Sequence, residues 1–208
     1  MLLIISAPGW GQTRSSHPDE PDRATLFTKK SRQALDPYRP ITRWQRAQWA
    51  LSSTAGPENL AAGVLSASVG TAVNRPNEYG PTWGGFGQRY GIRLTGISTG
   101  NAIEASLGAL WGEDPRYERL PEAPFGARVR NIVRFTFVAH RHDGQVAPAY
   151  ARYIAIPGNN VLSDLWRVQS EANARDTALR TVWGILGRMG ANAFAEFWPD
   201  VRKRMSGI

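Results

Sequence analysis

From about residue 41 onward, apolar and small residues recur at helical spacing, and the strongest case is Pro81 to Tyr117, PTWGGFGQRYGIRLTGISTGNAIEASLGALWGEDPRY. Small residues stand four apart in two rows there. Gly87, Gly91, Thr95 and Thr99 form one; Gly96, Gly100, Gly108 and Gly112 form the other, with Glu104 in its gap. Residues four apart share a helix face, so the spacing predicts one helix over 82–112 with Pro81 in its first turn and Gly112 as C-cap. Glycine inside a helix costs about 0.5–1 kcal/mol relative to alanine, and close helix–helix packing is the usual compensation.

Other stretches follow the same logic. Thr42 and Gln45 make a capping box for a helix through Trp44, Ala47, Trp49 and Leu51. Gly56-Pro57-Glu58 restarts a helix over 58–73, uncharged from Asn59 to Asn74 but too short to span a bilayer, which takes about 20 residues. Phe125 to His140 carries two periods. A helical stripe runs through Phe125, Val129, Ile132, Val133, Thr136, Phe137 and His140. Alternation at Val133, Phe135, Phe137 and Ala139 before Asp143-Gly144 fits a hairpin. The helix is preferred because its stripe covers more positions. Pro157-Gly158-Asn159-Asn160 reads as a turn, followed by a short helix over 161–167. A last helix over 171–198 holds Gly184, Gly187, Gly190, Ala191 and Ala195 and is stopped by Pro199; Arg202-Lys203-Arg204 ends the chain as a basic tip.

The expected fold is all-α: a single glycine-rich bundle of five or six helices over 41–205, in which helices 58–73, 82–112 and 171–198 meet on their small-residue faces. In front of it, residues 13–40 are polar, proline-punctuated and aperiodic, the composition of a disordered arm. Residues 1–12, MLLIISAPGWGQ, read as the remnant of a secretory signal or an apolar tail, which places the protein in the periplasm or at the outer membrane.

Composition narrows the chemistry. The 208 residues contain no cysteine, which removes disulfides, thiolate metal sites and cysteine nucleophiles. The net charge is +8, and residues 41–208 carry 19 Lys and Arg against 13 Asp and Glu. Such an excess suits anionic lipid or an acidic partner; no nucleic-acid module is present, so no nucleic acid is expected. No P-loop, GxSxG or HExxH occurs. His140 and His142 lack a third metal ligand, and no metal or cofactor is expected.

The candidate chemistry therefore lies in isolated charges. Glu104, on a small-residue face, requires a partner if buried; Arg188 is the expected one, with Arg93 and Asn101 near the same face as possible ligand-binding groups. Glu104 could also transfer a proton or hold a ligand. Glu113, Asp114 and Arg116 could clamp a polar ligand, although an Asp114–Arg116 pair stapling its own turn uses the same residues.

The runs GPTWGGFGQRYG, GNAIEASLGALWGEDPRY and NAFAEFWPD resemble a family of uncharacterised exported proteins seen mainly in acidobacterial genomes, over roughly residues 41–204. The resemblance implies export and carries no activity or catalytic residue. The leading expectation is a non-enzymatic cell-envelope protein, associated with or partly embedded in a membrane through small-residue helices. Its partners would be an anionic membrane surface or an envelope protein, with oligomerisation through glycine faces. The mean hydropathy of −0.36 favours the alternative, a soluble periplasmic enzyme or small-ligand binder with its site around Glu104 and Glu113, Asp114 and Arg116.

Overall fold

The computed structural model describes residues 38–207; the expected signal remnant and nearly all of the polar arm lie outside that range. The described residues form six α-helices: α1 (Arg43–Ala55), α2 (Pro57–Ala72), α3 (Trp83–Trp111), α4 (Phe125–Phe137), α5 (Tyr150–Ser163) and α6 (Ala174–Met205). The chain is mostly helical, as expected, with one addition. Strands β1 (Glu113–Asp114), β2 (Val138–Arg141) and β3 (Val146–Pro148) make a small antiparallel sheet in the order β1-β2-β3, pairing Asp114 with His140 and Ala139 with Ala147.

Local chemistry sets most boundaries. The Thr42 hydroxyl accepts from the Gln45 amide at 3.2 Å while the Gln45 side chain accepts from the Thr42 amide at 3.0 Å, closing the capping box of α1. Pro57 opens α2, and Gly112 ends α3 in the left-handed region at φ 73°. The two readings of 125–140 are both realised, in succession. The helical stripe holds as far as Phe137, where the backbone extends into β2 and the hairpin turns at Asp143-Gly144.

Two prolines depart from expectation. Pro157 lies inside α5 and the Pro-Gly-Asn-Asn turn does not form. The Asn160 side-chain amide donates back to the Ile156 carbonyl at 3.0 Å within the helix, and Asn159 seats against Gly96 and Gly100 of α3, so local and tertiary contacts hold the helix through the break. Pro199 does not stop α6, which continues to Met205. Arg119 and Arg128 grip Glu196 and Asp200 on either side of that proline.

The packing around α3 can be followed residue by residue. The α1–α2 pair runs antiparallel along it: Arg46 lies over Gly108, Thr54 bonds Asn101, Gly63 faces Tyr90 and Gly70 faces Arg89. Helix α5 takes another side, with Arg152 beside Glu104 and Asn159 over Gly96 and Gly100. The expected direct packing of the last helix on the central one is replaced: α6 packs mainly on α5 and α4, with Gly184 against Ile156, and reaches α3 through the long Arg188 side chain. Small residues permit close approach without specifying a partner. Accordingly Gly96, Gly100 and Gly108 are covered, while Gly87, Gly91, Gly187 and Gly190 face open space among the described residues.

This difference is measurable. A methyl at Gly85 would overlap the carbonyl oxygens of Tyr79 and Gly80, where Arg89 gathers the α2–α3 connection by bonding the carbonyls of Arg75, Pro76 and Gly80. Gly85→Ala is expected to lower stability by roughly 1–3 kcal/mol. Gly87→Ala meets nothing and should raise it by about 0.5–1 kcal/mol. Denaturation midpoints of the two variants check the pair.

Candidate functional site

Three charges that stand alone in long uncharged stretches meet in the interior. Glu104 is the one charge between Arg93 and Glu113, Arg152 between Asp143 and Asp164, and Arg188 between Arg180 and Glu196. Glu104 is 6% exposed. Its Oε1 accepts from Arg152 Nε at 3.0 Å and from Arg188 Nη2 at 3.1 Å. Arg152 also donates to the carbonyls of Phe135 (2.7 Å) and Thr136 (3.0 Å), placing a cation at the C-terminal end of α4 where the helix dipole favours one. Arg188 donates to the Pro115 carbonyl at 2.6 Å and lies over the Trp49 ring. The geometry joins α3, α4, α5, α6 and α1 through one carboxylate.

The other two acids serve turns and caps. Glu113 Oε2 accepts from the Ala151 amide at 3.0 Å, a negative charge on the first turn of α5; its Oε1 is buried without a partner among the described residues. Asp114 accepts from the Arg116 amide (2.9 Å), from its guanidinium (2.6 Å) and from the Tyr38 hydroxyl (2.8 Å). This is the self-stapled turn. The bonds from Asp114 hold the Arg116 guanidinium above its ordinary pKa. Burial, and then the bond to Asp114, raise that of Tyr38.

The structure brings Glu104, Glu113 and Asp114 to one wall and places Arg188, as expected, on Glu104. It does not bring Arg93 or Asn101 into contact with Glu104. Arg93 bonds the Asn59 carbonyl at 3.3 Å where α2 begins, and Asn101 bonds Thr54 at 3.0 Å where α1 ends. Reading the sequence alone missed Arg152, Tyr38 and Arg46, whose guanidinium covers Gly108. Arg152 did leave a signal, as the lone charge in an apolar segment. The space among Glu104, Gly108, Glu113, Asp114 and Arg152 totals about 160 Å³ including its part open to solvent, and nowhere admits a water molecule.

A second polar knot ties α4 and the 117–120 segment to α6. Glu196 is 0% exposed and accepts from Arg128 Nε (2.6 Å), Tyr117 Oη (2.7 Å) and the Leu120 amide (3.2 Å). Arg128 and Arg119 also bond Asp200.

With these charges collected inside, the outer faces of α3 and α5, most of α2 and the middle of α6 lack charge. Among the described residues the buried apolar set is Ala67, Ile132, Phe135, Ala139, Ala149, Ala151 and Ala155, mostly alanine, and buried polar residues outnumber it. Large apolar side chains face outward instead, as with Trp183 at 68% and Leu65 at 67%. From Ala178 to Pro199 every exposed residue of α6 is apolar or glycine, over roughly 30 Å at 1.5 Å per residue. No exposed side chain of α3, of α5, or of α2 beyond Glu58 is charged.

Compared with models of protein families, with curated proteins and with solved structures, the chain matches none.

Proposed function

We propose that this chain is a cell-envelope protein that lies partly within a lipid membrane, with the uncharged faces of α2, α3, α5 and α6 against acyl chains. One observation carries the reading: large apolar residues are outside and charges are paired inside, the reverse of a water-soluble bundle. Exposed apolar patches of this extent mark interaction surfaces. Tryptophan favours the membrane–water interface, and Trp83 and Trp111 stand exposed at the two ends of α3. No helix among the described residues is long and apolar enough to cross a membrane. Lone charges interrupt each apolar segment, so embedding would depend on the assembled bundle pairing them internally.

The alternative of an enzyme or small-ligand site around Glu104 draws little support from a space that admits no water and from Glu104 Oε1 engaged by two arginines.

The test is flotation of the purified full chain with neutral phosphatidylcholine vesicles, followed by an alkaline carbonate wash. Retention on the washed vesicles is the expected result. Recovery as a monodisperse species in detergent-free buffer, with none on the vesicles, would overturn the reading.

A further inference from the structure

We infer that the outer face of α4, extended by the Arg202-Lys203-Arg204 tip of α6, meets the headgroup layer of an anionic phospholipid membrane. This rests on the embedding proposed above and names the surface that faces charge.

Helix α4 differs from the other long helices in its exposed residues. Phe125, Val129, Val133 and Phe137 are exposed and four apart, so they form a single ridge. One position around stand Arg130 and Arg134, both exposed and without a hydrogen bond or ion pair among the described residues. The opposite face is taken: Ile132 and Phe135 are buried, Arg128 bonds Glu196, and Asn192 bonds Thr136 at 3.3 Å. Phe125 stacks on Phe197 with ring centroids 5.6 Å apart, which makes the ridge continuous with the uncharged face of α6.

An apolar ridge bordered by arginines is the arrangement of helices that lie in the plane of a membrane interface, with the ridge in the acyl boundary and the cations among headgroups. Charge complementarity selects the lipid. Exposed Arg130, Arg134 and Arg141 on α4 and β2, with Arg202, Lys203 and Arg204, outnumber the acids of the neighbouring segments, which are Glu118, Glu122, Asp143 and a half-exposed Asp200 already bonded to Arg119 and Arg128. At the opposite end, around the α2–α3 connection and the start of α6, Arg75 and Arg175 stand against Glu78. The asymmetry would orient the protein with α4 toward the more anionic leaflet. An acidic soluble partner would account for the arginines but leave the ridge beside them in water.

The experiment compares partition of the full chain to phosphatidylcholine vesicles with partition to vesicles containing one-third phosphatidylglycerol, for the natural protein and for Arg130→Gln with Arg134→Gln. Each surface cation contributes about fivefold to anionic-membrane binding. The double variant should therefore lose roughly 25-fold of its anionic partition and keep its neutral partition. Because both side chains are exposed and the one contact recorded for either is the distant approach of Arg134 to the Phe135 ring at 6.0 Å, circular dichroism should show the fold intact. Equal partition of the natural protein to both vesicles would overturn the inference. So would a double variant that keeps the full anionic preference, or displacement of the bound protein by soluble polyglutamate with no residual vesicle binding. If the natural protein ignores neutral vesicles but binds anionic ones through these arginines, the inference stands and the embedding reading falls.

Discussion

Glu104→Ala will destabilise the fold by about 3–5 kcal/mol, the usual consequence of removing one partner from a buried ion pair. The loss comes from what the substitution leaves behind. Arg152 is 3% exposed, and only backbone carbonyls would remain to hold its charge; Arg188 would keep only the Pro115 carbonyl and the Trp49 ring. Burial lowers the Arg188 guanidinium to about 10, which still leaves it charged near neutral pH. Glu104→Gln retains an acceptor oxygen and isolates the charge, so it should lose less than alanine but more than a surface carboxylate would. Denaturation of both variants, with unchanged slopes, supplies the numbers. Replacing Glu104, Arg152 and Arg188 together by apolar residues of similar volume should recover much of the loss, because the desolvation penalty leaves with the charges. A Glu104→Ala protein within about 1 kcal/mol of the natural one would mean that water reaches the cluster, and would remove the basis for calling the bundle polar inside.

That cluster also marks how far the chain could be read unaided. The capping box at Thr42, Pro57 at a helix start, the Gly112 cap and the Asp114–Arg116 staple are local arrangements, and each was legible because its partners are within a few residues. Arg188 as partner of Glu104 was legible for a different reason: two unmatched charges on two small-residue helices require a common solution. Arg152 satisfies the same requirement but sits beside Tyr150, Tyr153 and the Pro157-Gly158 pair, which suggest a turn and conceal the helix. Pro157 and Pro199 signal breaks by a backbone rule that outside contacts outweigh, through Asn159 on Gly96 and Gly100 and through the arginines around Glu196. The switch at Phe137 was hidden because Val133 to Phe137 satisfies both periods, and only pairing of β2 with β1 and β3 decides where the helix ends. Which glycines would be covered could not be read at all.

The inverted distribution of charge follows from the same lone residues. Each of α3, α5 and α6 carries its isolated charge on the face turned to its neighbours, so average hydropathy describes these helices poorly. A mean of −0.36 counts Glu104, Arg152 and Arg188 as though they met solvent. With these charges bonded to one another inside, the uncharged faces of the bundle present Trp183, Leu186, Ile154 and Leu65. The membrane reading depends on this pairing, and the Glu104 variants therefore test its physical premise as well as stability.

Glu196→Ala is the second large effect, again about 3–5 kcal/mol, but with a distinct distribution over the molecule. Glu196 is fully buried and binds three groups from outside its own helix, Arg128, Tyr117 and the Leu120 amide. Removing it frees the 117–120 segment and the start of α4, while the Glu104 cluster, through Arg152 on the Phe135 and Thr136 carbonyls, still holds the end of α4. Hydrogen exchange should then rise first in residues 117–131 and only later in α3 and α5; uniform loss of protection would show that the knot does not dock the start of α4 separately. Its neighbours add a pH signature. Bonds from Arg128 and then Arg119 hold the Asp200 carboxyl below its ordinary pKa. The stability it contributes is therefore present above about pH 4, the unfolded-state value for aspartate, and is lost as pH falls through the lower folded value. Burial, and then the bond to Glu196, raise the Tyr117 phenol. That contribution is present below about pH 10 and is lost as pH rises through the raised folded value. Tyr117→Phe should flatten the alkaline limb and Asp200→Asn the acid limb. In the Glu196→Ala protein the alkaline limb should shrink, because the phenol no longer has a carboxylate to oppose its ionisation. An alkaline limb unchanged by that substitution would mean that burial alone raises Tyr117, and that its bond to Glu196 adds no measurable stability.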